Sequence, residues 1–391
     1  MSWFDLNVSA PGVLNIEDMR KRARRRLPRP VYDYLEGGSE DEVSARRNRR
    51  GFGDVELLPR NGVARGEFDA RTSLLGCSID FPLFLAPCGM LELFHPDAEL
   101  GAARAAAAAG VGCILSTASS KSLEWVAETG SAPKWFQLYL WGGRAAGEAA
   151  IERAKAAGYR ALVATIDTNV VAKRERDLRN NLVGLWGYRV GAVVRALPQL
   201  LGHLSWTLPF VASRPPPILP NLQLPGKPPM RTEQIRGAIG APETSVTWED
   251  LDWICQMWDG PVVVKGVLSE EDARIARDRG AAGVVVSNHG GRQLDGVPAT
   301  IAMLPRIVDA VGDTTEVLLD SGVRRGSDIA KAICLGARAV LVGRAYVYGL
   351  AAAGETGVAR SLEILREEFV QTARLLGCAN VSELGGALVR R

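Results

Sequence analysis

Two side chains with complementary chemistry lie three positions apart in segment 287–296, which reads Ser-Asn-His-Gly-Gly-Arg-Gln-Leu-Asp-Gly. His289 can take up a proton near neutral pH, and Arg292 can hold a carboxylate through two parallel hydrogen bonds. The pair therefore suits a substrate with an acidic proton beside an anionic group. The alternative is a structural histidine that caps a helix from a loop. The apolar run 281–286 predicts a buried strand that ends just before both side chains.

The composition limits the functional classes. The chain has 391 residues, 47% of them hydrophobic, and 42 glycines, which suits a large core with many tight turns. Its 47 basic and 44 acidic residues nearly balance, so there is no general electrostatic reason to expect nucleic-acid binding. Six cysteines without a C-x-x-C pair predict reduced thiols. Residues 1–12 lack a sustained apolar stretch, so we expect no signal peptide and a cytoplasmic location.

From residue 81 onwards, apolar runs alternate with helical patterns. Eight runs are continuously hydrophobic and predict buried strands at 83–86, 112–116, 135–139, 161–166, 261–264, 283–286, 317–319 and 339–342. We predict one α/β domain over 1–391, a closed (β/α)8 TIM barrel with an N-terminal helical lead-in at 15–80. We expect the part of this lead-in over 45–80 to be charged and irregular, and the chain to close with a helical tail over 355–376. A long insertion, 178–247, follows strand four. A doubly wound open sheet is the alternative, which the count of eight and the lack of G-x-G-x-x-G after the first strand disfavour.

Polar side chains concentrate where the predicted strands end, which is where such a barrel carries its active site. The residues at these ends are Pro87, Cys88, Gly89, Ser116, Gln137, Tyr139, Thr165, Asp167, Lys265, Ser287 and His289. Gln137 and Thr165 can hydrogen-bond the edge of a flat heteroaromatic cofactor. Lys265 would lie beside the negative charge that a flavin develops on reduction, although a surface charge or an internal ion pair also explains a lysine there. The three histidines are far apart and no carboxylates are paired, so no metal site is predicted.

Two glycine loops follow the last two predicted strands, and each contains an arginine. The first holds Asp320, Gly322 and Arg324, and the second holds Gly343 and Arg344. Backbone amides, a helix N-terminus and arginines at these two positions form the phosphate site of many barrels. The loops therefore predict that the cofactor carries a phosphate.

These residues resemble the FMN-dependent L-2-hydroxy acid dehydrogenases and oxidases, a family that includes glycolate oxidase, membrane-linked lactate dehydrogenase and mandelate dehydrogenase. The resemblance covers residues 16–378 apart from the insertion. It is carried by Ser-Asn-His-Gly-Gly-Arg-Gln-Leu-Asp at 287–295, with matches at 31–34, 136–139, 264–267 and 319–326. Segments 115–119 and 348–352 are most similar to the mandelate and lactate dehydrogenase branch.

The resemblance implies oxidation of a mandelate- or lactate-like L-2-hydroxy acid to the 2-keto acid, by a carbanion or a hydride route. His289 is then the base and Asp167 orients it, while Arg174 and Arg292 clamp the carboxylate. Tyr34 and Tyr139 are the implied substrate-site phenols, and Lys265 favours the anionic form of the reduced cofactor. The implied FMN contacts are Pro87, Cys88, Gly89, Ser116, Gln137, Thr165, Lys265, Ser287, Asp320, Gly322, Arg324, Gly343 and Arg344.

Three small residues in the implied pocket depart from other members of this family. Cys88 replaces a common Thr beside the flavin edge, and Gly89 replaces the Ala that oxidases usually carry. Gly at this position favours a dehydrogenase that passes electrons from FMN to a quinone or another acceptor. An O2-using oxidase that releases hydrogen peroxide is the alternative, and so is a tailoring enzyme for a larger hydroxy acid. Ala118 leaves room for an aryl side chain.

The insertion contains an apolar stretch, residues 182–213, whose only basic residues are Arg189, Arg195 and His203 and which has no acidic residue. A lid over the active site and a membrane contact are both open. A single crossing would place two halves of one barrel on opposite sides of a bilayer, so the membrane alternative is an interfacial segment. The resemblance implies peripheral attachment at the inner face of the cell membrane and a homotetramer.

Overall fold

The computed structural model describes residues 12–63, 66–181, 184–185, 187, 189–213, 218–224, 226–231 and 245–390. Eight parallel strands form a closed barrel, which confirms the predicted fold. They are β1 Leu83–Leu85, β2 Gly112–Ser116, β3 Lys134–Leu138, β4 Ala161–Thr165, β5 Val262–Val267, β6 Gly283–Val286, β7 Glu316–Leu319 and β8 Ala339–Val342. The barrel closes where β8 pairs with β1, with Val340 opposite Leu83.

A helix follows each strand and packs outside the barrel. In chain order these helices are α1 Ala98–Ala108, α2 Leu123–Ala127, α3 Gly143–Ala156, α4 Trp248–Met257, α5 Glu270–Asp278, α6 Thr300–Val311, α7 Gly326–Cys334 and α8 Arg344–Leu375. Non-helical backbone at Ala353 and Gly354 kinks α8, and the predicted helical tail corresponds to its second half. Since every strand runs in the same direction, all the strand-to-helix loops lie at one end of the barrel.

Large side chains fill the inside of the barrel. Phe84 and Trp135 are fully buried there, with ring centroids 4.5 Å apart. Gly112 begins β2 because a Cβ at this position would lie 2.0 Å from the Phe84 ring. This packing makes the interior a solid core, so a ligand site must lie at the rim rather than along the barrel axis.

The N-terminal lead-in is more helical than the sequence suggested. Asn15 caps the helix Ile16–Arg26 by accepting from the Asp18 amide at 2.9 Å, and the helix Arg29–Glu36 follows. Residues 45–80 were expected to be irregular. That expectation was wrong in part, since a helix spans Val43–Gly51 and a hairpin pairs Thr72–Leu74 with Cys77–Ile79.

The short helix Glu175–Asn180 leads into the insertion. The described part of the insertion holds the helices Val190–Gly202 and Leu204–Ser213 and a short pairing of Ile218–Leu219 with Met230–Arg231. Trp206 anchors it to the barrel, because the buried indole Nε1 donates to the Leu93 carbonyl at 2.9 Å and the ring stacks on Phe210. Within the described ranges, no helix is long and apolar enough to cross a bilayer.

Candidate active site

A cavity of about 610 Å³ opens at the C-terminal ends of the strands. Most of the predicted site residues line it, namely Tyr34, Pro87, Cys88, Gly89, Ser116, Tyr139, Arg174, Lys265, His289, Arg292, Asp320, Gly322, Arg324, Gly343 and Arg344. Four others lie behind this lining. Asp167 hydrogen-bonds to His289, Gln137 to Ser116, and Ser287 to Lys265. Thr165 lies opposite Lys265 in the register of the neighbouring strands.

The segment after β6 is fixed to the N-terminal lead-in by its polar side chains. Asn288 exchanges two side-chain hydrogen bonds with Asn48, at 2.7 and 2.8 Å. Asp295 accepts from the backbone amides of Val43 and Ser44, so it caps the helix Val43–Gly51 rather than facing the cavity. Gly291 has φ of 73°, and a Cβ there would lie 2.4 Å from a backbone nitrogen of that helix. These contacts hold the loop that presents His289.

His289 and Asp167 form a hydrogen-bonded pair in which Nδ1 and Oδ1 are 3.0 Å apart. His289 has a left-handed backbone with φ of 58°, which costs conformational energy in a non-glycine residue. Burial lowers the pKa of His289 against the opposing effect of the Asp167 charge. Burial raises the pKa of Asp167, but the His289 contact and the Lys265 charge outweigh it, so that pKa is lowered. The pair is arranged as a neutral imidazole beside an ionised carboxylate, with Nε2 as the acceptor nitrogen.

Lys265 lies at the end of β5 as a buried cation with two partners. Its Nζ is 2.9 Å from both the Ser287 hydroxyl and the Asp320 carboxylate. Burial would lower the pKa of Lys265, yet the charges of Asp320 and Asp167 outweigh burial and raise it. The ammonium group therefore stays charged at the cavity wall.

Two arginines meet at the mouth of the cavity. Arg292 donates through Nη1 to the carbonyls of Tyr34 and Gly37, each at 2.8 Å, and its guanidinium lies 5.0 Å from the Tyr34 ring centroid. Arg174 donates through Nε to the Arg292 carbonyl at 3.3 Å. Burial and the like charge of Arg292 lower the pKa of Arg174 to about 10. An anion between the two guanidiniums would relieve this repulsion, so the mouth of the cavity favours binding of an anion.

The short helix Glu175–Asn180, which leads into the insertion, positions Arg174. Arg176 pairs with Glu42 at 2.5 Å, and Asn180 donates to the Asp33 carboxylate at 2.9 Å. Both partners belong to the N-terminal lead-in. The lead-in thus supplies Tyr34 directly and fixes Arg174 indirectly, which links two regions that are 140 residues apart in the chain.

The two predicted phosphate arginines differ in their contacts. The guanidinium carbon of Arg324 lies 5.6 Å from the centroid of the Tyr348 ring. The buried Nε of Arg324 has no partner among the described residues. Arg344 already donates to the carbonyls of Leu35, Gly37 and Gly290, at 2.8 to 3.1 Å. Arg324 is therefore the better placed of the two to contact a phosphate, and Arg344 joins the His289 loop to the lead-in.

The residues present fit a bound flavin mononucleotide. The buried polar atoms that have no partner within the described part of the chain include three that suit such a ligand, namely Gln137 Nε2, Thr165 Oγ1 and Arg324 Nε. Unsatisfied buried polar groups are rare, because each costs free energy, so a ligand that completes their hydrogen bonds is expected here. The first two suit the polar edge of the ring, and the third suits the phosphate.

Sequence reasoning missed several residues that line the cavity. Asp177 lines the cavity one helical turn after Arg174. Burial raises the pKa of Asp177, and the charges of Arg292 and Arg174 offset only part of this rise. Gln293 donates to the carbonyls of Asp167 and Val170, so it holds the loop that carries Asp167. The spacing of Asp177 on a short helix was a readable signal, whereas Gln293 lies within the segment 287–296 but was given no role there.

Trp141, Leu219 and Met90 also went unpredicted, and they form an apolar wall with the predicted Tyr139 and Ala118. The Tyr139 and Trp141 rings stack 4.2 Å apart at an angle of 5°, and Leu219 of the insertion packs with them. Met90 and Ala118 complete this wall. Burial and the Asp167 charge raise the pKa of Tyr139, so its phenol stays protonated as a donor. The wall offers an aromatic surface to a substrate side chain.

Comparisons with known proteins identify relatives over almost the whole chain. The model of the FMN-dependent dehydrogenase family matches residues 23–391. The L-lactate dehydrogenase of Pseudomonas aeruginosa is 41% identical over 375 residues, covering 95% of this chain and 97% of that protein. Glycolate oxidase 5 of Oryza sativa subsp. japonica is 37% identical over 374 residues, covering 95% and 94%. The crystal structure of the monotopic membrane protein (S)-mandelate dehydrogenase superposes with a TM-score of 0.88 at 37% identity, covering 97% and 99%.

Proposed function

Because the chain belongs to the FMN-dependent dehydrogenase family, we propose that it oxidises an L-2-hydroxy acid, mandelate-like or lactate-like, to the 2-keto acid. The observation that carries this proposal is the placement of the His289–Asp167 pair in the same cavity as the Arg174–Arg292 pair. A base beside a carboxylate site matches the two functional groups of a 2-hydroxy acid.

Binding begins at the two arginines. The substrate carboxylate takes the position between Arg174 and Arg292, where it offsets their repulsion, and the Tyr34 hydroxyl donates to it. The Tyr139 hydroxyl donates to the substrate oxygen at C2. The apolar wall of Tyr139 and Trp141 accommodates the side chain, which favours an aryl or a branched group over a hydrogen.

Proton transfer belongs to His289. Its neutral Nε2 accepts a proton from the substrate, and the Asp167 carboxylate stabilises the imidazolium that forms. The proton comes from C2 or from the hydroxyl, and the same residues serve both routes. Gln137, Thr165, Lys265 and Arg324 would hold FMN, which when bound supplies the acceptor for the two electrons that leave the substrate.

Anaerobic reduction of the FMN-loaded protein tests this function directly. We expect bleaching of flavin absorbance with L-mandelate and L-lactate but not with their D-enantiomers. A series of 2-hydroxy acids with hydrogen, methyl, isobutyl and phenyl side chains shows which side chain the pocket prefers. A protein that binds FMN but bleaches with no 2-hydroxy acid would contradict the proposal.

We propose that a quinone or another acceptor, rather than O2, takes the electrons. Gly89 supports this proposal, because the resemblance associates Gly at this position with the dehydrogenases and Ala with the oxidases. The packing here also requires Gly, since a Cβ would lie 2.8 Å from the Ala118 Cβ and 2.9 Å from the Ala118 carbonyl oxygen. The absent methyl leaves the wall in its present shape. Mixing the reduced protein with O2 or with a soluble quinone in a stopped-flow instrument separates the two functions. Faster reoxidation by O2, with hydrogen peroxide released, would favour the oxidase.

We also propose that the insertion contacts a membrane surface, peripherally and at the cytoplasmic side. Its two longer helices expose Val190, Val194, Leu201, Leu208 and Val211, each by 52% to 78%. An apolar stripe of this size on a nearly uncharged helix pair suits burial in the interfacial layer of a bilayer.

Flotation with phosphatidylcholine–phosphatidylglycerol vesicles tests the membrane contact. Replacing Leu201 and Leu208 by Asp should lower the membrane partition constant about a hundredfold or more, since each buried leucine contributes about 1.5 to 3 kcal/mol and about 1.4 kcal/mol is a factor of ten. Leu294→Asp is the matched control, because Leu294 is 73% exposed and lies outside the insertion. Unchanged flotation of the double variant would leave the lid as the better explanation. The homotetramer and the single-domain organisation over 1–391 stay predictions, which light scattering and limited proteolysis test.

A further inference from the structure

The wall of the cavity between β1 and β2 is formed by two loops that touch each other. Cys88, Gly89 and Met90 come from the loop after β1, and Ala118 comes from the loop after β2. The Met90 amide donates to the Ala118 carbonyl at 2.9 Å. A Cβ on Gly89 would lie 2.8 Å from the Ala118 Cβ. The width of the side-chain pocket therefore depends on how these loops are held relative to each other.

Glu99 holds both loops from behind. It lies in the first turn of α1 and is only 4% exposed. Its Oε1 accepts from the Ser120 amide at 2.8 Å and from the Leu91 amide at 3.3 Å. Ser120 is two residues beyond Ala118, and Leu91 is one residue beyond Met90. Its Oε2 is buried and has no partner among the described residues. One carboxylate oxygen thus joins the two loops, and the other is unused.

We propose that ionised Glu99 is a positioning residue that sets the width of the substrate side-chain pocket by joining the loops after β1 and β2. This inference rests on the proposed oxidation of 2-hydroxy acids. Protonation at the unused oxygen replaces two charge-assisted hydrogen bonds by neutral ones, which are about half as strong. The two loops then separate more easily, and the pocket discriminates less between side chains.

The surroundings of Glu99 place its protonation within the working pH range. Burial raises the pKa of Glu99 to about 7, against the lowering effect of the backbone amides. The groups that face it are Glu92, whose charge raises this pKa, and the Tyr346 hydroxyl, whose own pKa is raised in part by Glu99. Lys121 pairs with Glu92 at 2.6 Å and so neutralises part of that charge.

The test compares two substrates in the FMN-loaded wild-type protein between pH 5.5 and 8.5. Apparent dissociation constants for L-mandelate and L-lactate come from anaerobic flavin reduction, and their ratio removes the titration of His289, which affects both substrates. We expect the ratio to change about fivefold through neutral pH. Glu99→Gln should give the low-pH ratio at every pH, with the reduction rate at saturation within about twofold of wild type.

Glu92→Gln is the matched control. It removes the neighbouring charge without touching either amide bond to Glu99, so the transition should persist and move to lower pH. A wild-type ratio that does not vary with pH would overturn the proposal, and this measurement needs no variant to fold. Absence of any reduction by hydroxy acids would instead overturn the proposed function, so the two failures are distinguishable.

Discussion

The rim of the barrel and the insertion hold their side chains in opposite ways. At the rim, Lys265 and Asp320 are 4% and 5% exposed and bonded to each other. In the insertion, Val190 and Leu208 are 78% and 63% exposed, and Trp206 provides a buried anchor. The closed barrel fixes the groups that we propose to do chemistry, whereas the insertion presents apolar surface to the surroundings. Variants at the rim should therefore change rates, and variants in the insertion should change local opening or partition.

The largest effect is expected at His289. His289→Gln should slow flavin reduction by about 10³-fold or more, because the base is lost, while FMN absorbance shows that the cofactor is retained. Stopped-flow reduction under anaerobic conditions measures the rate. The insertion provides a matched control, since His203→Gln should leave the rate unchanged. Reduction of the His289 variant at a tenth of the wild-type rate would remove it as the base.

A smaller effect is expected for the carboxylate site. Arg174→Met should raise the apparent dissociation constant of a 2-hydroxy acid by about 10- to 100-fold, because a charged hydrogen bond contributes about 1.5 to 3 kcal/mol. Titrating the flavin spectrum with substrate measures this constant. Arg179→Met is the control on the same helix, since Arg179 is exposed and pairs only with Glu175 in the described structure. Equal effects of the two variants would mean that Arg174 acts only through the net charge.

The insertion should respond to the loss of its anchor. Trp206→Ala should lower the free energy of local opening of helices Val190–Gly202 and Leu204–Ser213 by about 3 kcal/mol, because a buried ring and its hydrogen bond are removed. Amide hydrogen exchange by mass spectrometry resolves these segments. Leu208→Ala, at an exposed position, should change the opening by less than about 0.5 kcal/mol. Faster exchange throughout the barrel would show instead that the insertion is part of one cooperative unit.

The alternation of strands and helices made the barrel predictable, because buried parallel strands are continuously apolar and all their ends lie on one side. The lead-in was less readable. The helix Val43–Gly51 carries four arginines and no apolar stripe, and its position depends on Asn48 and on capping by Asp295, more than 200 residues away. A helix stabilised by such distant contacts leaves little local signal.

The site was predictable where a residue follows a strand and less so where a loop returns to the cavity. His289 and Asp167 follow strands, Lys265 lies near the end of one, and the structure brings the three together. Trp141 and Leu219 line the cavity because the loop after β3 and the insertion fold back over the rim. The multiple carbonyl contacts of Arg344 depend on the path of residues 35–37, which no local pattern specifies.

The smallest predicted effect is a shift in the pH dependence of flavin reduction. It tests whether the charge of Asp167 affects the pKa of His289. His289 must be neutral to act as a base, so the rate of flavin reduction is full above its pKa and falls as the pH drops through it. Burial places this pKa below the ordinary value of 6.5, and the Asp167 charge opposes burial. Asp167→Asn removes that opposing charge, so the midpoint of the pH–rate profile should move to lower pH.

Asp177→Asn provides the comparison for this shift. Asp177 also lines the cavity, but its charge acts on Arg174 and Arg292 rather than on His289, so the midpoint should stay in place. Rates of anaerobic reduction at saturating substrate between pH 4.5 and 8 give the midpoint for each variant. The midpoint can be compared even if the maximal rates of the variants differ. If Asp167→Asn raises the midpoint, the carboxylate does not stabilise the imidazolium, and a third group at the rim must set the pKa of His289.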